Sequence, residues 1–139
     1  MKYIPLIGRI LFSLIFLSSG IMGHLAMASQ TAAYASSSGL PMAMPLVVIS
    51  GIIAILGALS IILGYKAKMG AWLIVIFLVP ITFAMHNFWT ITDPAQAMMK
   101  TMQMAMFMKN LSMMGGALMI SYFGAGPISL DARSTKQAG

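Results

Sequence analysis

The stretch that decides the fold is MPLVVISGIIAILGALSIIL, which runs from Met44 to Leu63 without a charged side chain. The turn GYKAK follows at positions 64–68, and GAWLIVIFLVPITFAMHNFW then runs from Gly70 to Trp89, again without formal charge. A helix needs about 20 mostly apolar residues to cross the hydrocarbon core of a bilayer. The two runs and the short turn between them therefore predict two antiparallel transmembrane helices.

Two more apolar runs extend this pattern to the rest of the chain. Backbone polar groups in lipid must find hydrogen-bond partners within their own segment, which favours helices over isolated strands. The sequence therefore predicts an all-α membrane protein, a single domain over 1–139 built as a four-transmembrane-helix bundle. The helices are expected at 5–28, 44–63, 70–89 and 103–123, followed by a mobile tail at 132–139.

The first run has an alternative interpretation as a secretory signal. Lys2 and Arg9 precede a short apolar run, and Ala26-Met27-Ala28 follows it in the manner of a cleavage site. Because the run is long enough to span a membrane, we expect it to be retained.

The composition supports a membrane protein and excludes several other classes. Of the 139 residues, 60% are hydrophobic and 7% are charged, whereas soluble domains average about 25% charged residues. The net charge of +6 comes from basic residues scattered between apolar runs, which favours contact with a lipid bilayer over a nucleic-acid site. The chain has no Cys, so disulfides and thiolate metal sites are excluded.

The distribution of basic residues predicts the orientation. Cytoplasmic segments of membrane proteins carry an excess of Lys and Arg. If both termini are cytoplasmic (N-in/C-in), six of the eight basic residues lie inside and two lie outside. The inner set is Lys2, Arg9, Lys66, Lys68, Arg133 and Lys136, and the outer set is Lys100 and Lys109.

Polar side chains at membrane depth are costly, so each one is a candidate functional residue. The helix ends predicted above place five of them near the outer face, where we expect them to line one ligand cavity. The alternative is that they sit at the level of the lipid headgroups, where amphipathic side chains are comfortable. The five residues are His86, Asn87, Trp89, Lys109 and Asn110.

Three further expectations concern metals, haem and an ion pair. A metal site is not expected, because thiols are absent and carboxylates are scarce. His24 and His86 at similar depth permit bis-His haem b as a weaker alternative. On the inner side, Arg9 and Asp131 are predicted to form an ion pair between the first and fourth helices. No catalytic residue can be named, and an accessory role is favoured over an enzyme.

A series of short motifs runs along nearly the whole chain: Gly8-Arg9, Phe16-Leu17-Ser18-Ser19-Gly20, Gly39-Leu40-Pro41, Gly57-Ala58-Leu59, Leu63-Gly64, His86-Asn87-Phe88-Trp89, Lys109-Asn110, Gly115-Gly116 and the segment 124–131. In their order and spacing these motifs resemble the DoxX family of small bacterial and archaeal membrane proteins. One position departs from the family pattern, since Ala54 stands where these proteins often carry Glu.

The resemblance implies a subunit accessory to a quinone-linked membrane oxidoreductase of the respiratory chain. It also implies a quinone or small-lipid pocket near the outer face, and a bacterial or archaeal plasma membrane. The implied partners are other subunits of a redox complex, or further copies of the chain. A small transporter or lipid-binding bundle without a redox role is the alternative.

Overall fold

The computed structural model describes residues 1–137, with side chains as far as Ser134, and its regular elements within that range are helical. A π-helical segment, Ser19–Ala26, continues the first helix, and two short 3-10 helices, Phe88–Thr90 and Pro94–Gln96, precede the fifth. The α-helices are α1 (Ile4–Ser18), α2 (Ala28–Ser37), α3 (Ala43–Leu63), α4 (Ala67–Met85), α5 (Ala97–Phe123) and α6 (Leu130–Gln137).

Three helical segments of the described chain are long and apolar enough to cross a membrane: Ile4–Ala26, Ala43–Leu63 and Ala67–Thr90. They correspond to the first three predicted spans. The fourth predicted span lies within α5, which has 27 residues but is not among the apolar spans. Lys109 and Asn110 lie in its middle and lower its hydropathy. The chain is thus all-helical with three candidate spans, and the four-helix transmembrane bundle is not confirmed.

Close helix crossings at glycine hold the spans together. α3 packs against α1 and its π-helical extension on one side and against α4 on the other, and α4 packs against α5. A Cβ atom built on Gly20 would lie 3.0 Å from the carbonyl oxygen of Gly51, and one built on Gly57 would lie 3.0 Å from that of Gly70. Small residues let helix backbones approach in this way when lipid offers no hydrophobic driving force.

The main core lies where these crossings bring four helices together. Its largest fully buried apolar side chains are Phe16 from α1, Ile61 from α3, and Ile74 and Leu78 from α4. Ala117 of α5 belongs to the same cluster, so α5 is part of the packed body of the protein.

The segment 29–41 lies between the first two predicted helices, yet most of it forms α2. Ala32 and Ala35 of this helix are buried against Ala43 and Val47 of α3. A stripe of Ala gives little hydropathy signal, although it is enough to dock a short helix on a neighbour.

Several predicted boundaries shift in the structure. α4 ends at Met85 rather than at residue 89, and α5 begins at Ala97 rather than at residue 103. Asp93 accepts a hydrogen bond from the amide of Ala95 (2.9 Å) and so caps the 3-10 turn that leads into α5. In the predicted mobile tail the structure places α6, and 138–139 lie outside the described residues. Mobility of the tail stays a prediction.

Candidate functional site

A cavity of about 500 Å³ lies among α1, α2, α3, α4 and α5. It is closest to the end of the protein that carries α2 and residues 86–96, which we call the α2 end; the opposite end, at the α3–α4 turn, is the Gly64 end. The lining is mostly apolar. Eight residues with polar side chains also contribute to it: Ser19, His24, Thr31, Tyr34, Ser50, His86, Lys109 and Asn110.

The structure brings together three of the five predicted site residues and leaves two apart. His86, Lys109 and Asn110 line the cavity, whereas Asn87 and Trp89 do not. Trp89 is 49% exposed, and its ring contacts the rings of Phe88 and Phe107, with centroids 5.3 and 5.7 Å away. Because Trp89 does not line the cavity, its ring is not placed to cover a ligand there. A ligand-binding role for any of the five stays a prediction.

Asn110 is the most unusual polar group of the cavity. It is 3% exposed, and its amide makes no hydrogen bond within the described part of the chain. The amide is not sealed in the protein, since the fully buried side-chain polar atoms without a partner among the described residues are Nε and Nη1 of Arg9 and Oγ of Ser13. Asn110 lines the cavity, where a ligand could supply the missing partner.

Lys109 brings a positive charge to the same wall. It lies twelve residues after Ala97, which at 1.5 Å per residue places it about 18 Å along α5. It contributes to the cavity lining, and its side chain is exposed. No carboxylate lines the cavity. Within residues 1–137, Lys109 has no ion pair.

His86 is held by two residues that the sequence analysis did not identify. The side-chain oxygen of Gln103 accepts a hydrogen bond from Nδ1 of His86 (2.7 Å), and Nε2 of Gln103 donates to the hydroxyl of Tyr34 (3.1 Å). This chain links the end of α4 to α5 and α2. Gln103 is the one amide side chain within the Met-rich run 97–108, and this was the available sequence signal for it.

His24 reaches the cavity because of the π-helical segment that carries it. Its Nδ1 lies 3.0 Å from the backbone oxygen of Ser19, which can only accept, so Nδ1 donates and Nε2 is left as the acceptor. The ring meets that of Phe77 edge-on at 5.5 Å. A Cβ atom on Gly51 would lie 2.5 Å from Cβ of His24, so the glycine makes room for the histidine.

No group of three or more His, Cys, Asp or Glu residues capable of holding a metal ion occurs within the described residues. His24 and His86 do line one cavity. Haem coordination by this pair stays a prediction.

A second polar cluster lies at the Gly64 end, around Arg9. Arg9 is 3% exposed, and its Nη2 donates to the backbone oxygen of Ile128 (2.6 Å). Its Nη1 packs against Gly64, which ends α3 with φ 64° and leaves no space there for a Cβ atom.

Asp131 joins this cluster by capping α4 from a distant part of the sequence. Its two carboxylate oxygens accept hydrogen bonds from the backbone amides of Lys66 (2.8 Å) and Ala67 (3.1 Å). Its own amide donates to the oxygen of Gly64 (2.8 Å). Asp131 and Arg9 are within electrostatic reach of each other, and their direct ion pair stays a prediction.

Comparison with known proteins assigns the family. A model of the SURF4 family matches residues 1–137. The chain belongs to the SURF4 family. It is 32% identical over 131 residues to the inner membrane protein YphA of Escherichia coli K12, covering 92% of this chain and 88% of that one. This membership and the candidate spans make the chain a membrane protein.

Two eukaryotic SURF4-related proteins match over shorter stretches. The Surfeit locus protein 4 homolog of Drosophila melanogaster is 36% identical over 89 residues, or 64% of this chain and 32% of that protein. The ER-derived vesicles protein ERV29 of Saccharomyces cerevisiae is 27% identical over 82 residues, or 59% of this chain and 25% of that protein. The chain thus spans about a third of the length of the Drosophila protein and a quarter of the length of the yeast protein. No solved structure matches it with significance.

The resemblance to the DoxX family was therefore wrong, and the redox role that followed from it is not supported. The structure explains how the motifs misled. Gly57 lies at the crossing of α3 with α4, and Gly64 ends α3. Glycine is common at helix crossings and helix ends in membrane proteins, so these motifs are not specific to one family. A quinone-linked oxidoreductase, a place in the respiratory chain and redox subunits as partners are therefore not supported either.

Proposed function

We propose that this SURF4-family protein binds a small amphipathic molecule in the cavity at the α2 end. The observation that carries this proposal is the amide of Asn110, which lines a mostly apolar cavity and makes no hydrogen bond within the described part of the chain. A ligand with an apolar body would fill the lining, and its polar group would complete the hydrogen bonding of Asn110. The volume of about 500 Å³ falls within the range of about 300–1,000 Å³ that is usual for small-molecule sites.

The proposal includes four membrane crossings, with both termini in the cytoplasm. α5 supports it, because the helix begins at the α2 end and its 27 residues reach about 40 Å, more than the hydrocarbon thickness of about 30 Å. The segment after α5 meets the α3–α4 turn through Asp131, which supports a common side for those two regions. The relative named as an inner membrane protein supports a bacterial inner membrane.

Binding of single-chain amphipaths to the purified protein tests the proposal. Native mass spectrometry from detergent would measure occupancy by dodecanol and dodecanoate for the wild type and for Asn110→Leu. Loss of one hydrogen bond to a buried amide should weaken binding about tenfold, since a tenfold change corresponds to about 1.4 kcal/mol. Asn110→Leu should also unfold no more easily than the wild type, because it removes an unpartnered polar group.

Asn87→Leu is the matched control, since Asn87 lies near the same end but outside the cavity lining. It should bind as the wild type does. If neither amphipath binds the wild type, or if Asn110→Leu binds as well as Asn87→Leu, the proposed function is wrong. A strong loss of stability in Asn110→Leu would assign Asn110 to the fold instead.

A further inference from the structure

The charge of the cavity is not balanced by the protein. Lys109 contributes an ammonium group, and no residue of the lining is Asp or Glu. The two imidazoles of the lining, His24 and His86, use Nδ1 within the chain and can only add positive charge. An ammonium group in a mostly apolar cavity requires a counter-charge or water, because hydrocarbon does not solvate it.

No acidic side chain of the chain supplies that counter-charge. The sequence contains two acidic residues in total, Asp93 and Asp131. Asp93 caps the 3-10 turn before α5 through the amide of Ala95. Asp131 holds the start of α4 at the Gly64 end, through the amides of Lys66 and Ala67. Neither residue lines the cavity.

The dipole of α5, the helix that carries Lys109, does not compensate its charge. The negative end of a helix dipole acts within the last turn. Lys109 lies fourteen residues before Phe123, the end of α5, which is about 21 Å along the helix. Among the described residues no full negative charge therefore reaches the cavity, although the C-terminal end of α4, at Met85 and His86, adds the partial charge of its helix dipole.

We propose that the molecule bound at the α2 end is a single-chain anionic amphipath, with a carboxylate or a phosphate monoester as its head group. This inference rests on the proposed function and adds the sign of the charge. The head group pairs with the ammonium of Lys109 and accepts a hydrogen bond from the amide of Asn110, which follows it on α5. The apolar tail of the ligand lies against the remaining, mostly apolar lining. A small free anion has no such tail and would leave most of the cavity unfilled.

Head-group preference in a matched series tests this inference. Dodecanoate, dodecyl phosphate and dodecanol share one chain and differ in charge, and their affinities would be measured for the wild type, Lys109→Met and Lys109→Arg. We expect the wild type to favour both anions over dodecanol at least tenfold. Lys109→Met should lose the preference, measured as the ratio of the affinities for dodecanoate and dodecanol, whereas Lys109→Arg should keep it.

Lys100→Met is the matched control, because it removes the same charge from the same helix at a position that does not line the cavity. It should keep the wild-type preference. Equal wild-type affinity for dodecanoate and dodecanol would overturn the inference while leaving the proposed function standing, whereas failure of all three to bind would overturn both.

Acetate and inorganic phosphate serve as competitors that carry the head-group charge without the chain. They should not displace dodecanoate at concentrations a hundredfold above it. Displacement at equal concentration would show that the site takes a free anion and would overturn the assignment to an amphipath. The wild-type comparisons decide the matter even if Lys109→Met fails to fold.

Discussion

Asp131 lies near the C-terminal end of the sequence, yet we expect it to contribute to the free energy of unfolding by capping α4. Asp131→Ala removes the acceptors of two backbone amides, those of Lys66 and Ala67, at the first turn of a 19-residue helix. Hydrogen bonds to a charged acceptor contribute about 1.5–3 kcal/mol each, and loss of a helix cap costs about 0.5–2 kcal/mol. Because this end of α4 is partly exposed, we expect the low end of these values, about 2–3 kcal/mol in total.

Equilibrium unfolding in mixed detergent micelles, followed by circular dichroism, would measure this change. Asp131→Asn should recover part of the loss, since its amide oxygen can still accept one of the two hydrogen bonds. Asp93→Ala is the control: it removes an exposed cap with one hydrogen bond, to Ala95, and should cost less than about 1 kcal/mol. Equal losses for Asp131→Ala and Asp93→Ala would refute the capping role across the Gly64 end.

Three other predictions concern the pair Arg9 and Asp131, the packing at two glycines, and the membrane topology. Arg9→Ala should cost less in the Asp131→Ala background than alone, and additive unfolding free energies would show that the two side chains do not interact. Gly51→Ala should destabilise the protein by about 1–3 kcal/mol, because its new Cβ would meet Cβ of His24 at 2.5 Å. Gly115→Ala, with no atom within 4 Å of the new Cβ, should be neutral or stabilising, and the reverse order in thermal melts would contradict this packing. For topology, an impermeant thiol reagent on intact cells should label Ser37→Cys and not Lys68→Cys in this Cys-free chain, and the opposite pattern would invert the orientation.

The sequence was sufficient to predict the features that depend on local composition. Continuous apolar runs identified the three candidate spans, because transfer into lipid depends on each segment's own side chains. α2 was missed because its buried face is formed by Ala32 and Ala35, whose hydropathy signal is weak. The π-helical segment was missed because a change of hydrogen-bond register within a helix leaves no signature in composition.

The candidate site was predicted in part for the same reason. Lys109 and Asn110 stood out as polar residues within an apolar helix, and the structure places both on one cavity with His86. The links through Gln103 and Tyr34 could not be anticipated, because 69 residues separate the two partners and no local pattern joins them. The capping role of Asp131 was hidden in the same way, across 65 residues.

The hydrogen bond from Arg9 to Ile128 has a consequence for the order in which the protein is assembled. The two residues are 119 positions apart. At a synthesis rate of about 5–20 residues per second, Ile128 emerges roughly 6–24 seconds after Arg9. During that interval α1 has already been synthesised, but the guanidinium of Arg9 still lacks the backbone oxygen of Ile128 as its hydrogen-bond acceptor. The guanidinium must therefore stay near water or lipid headgroups while the helix inserts into the membrane. A nascent chain halted before residue 128 should therefore hold α1 at a shallower depth than the finished protein does.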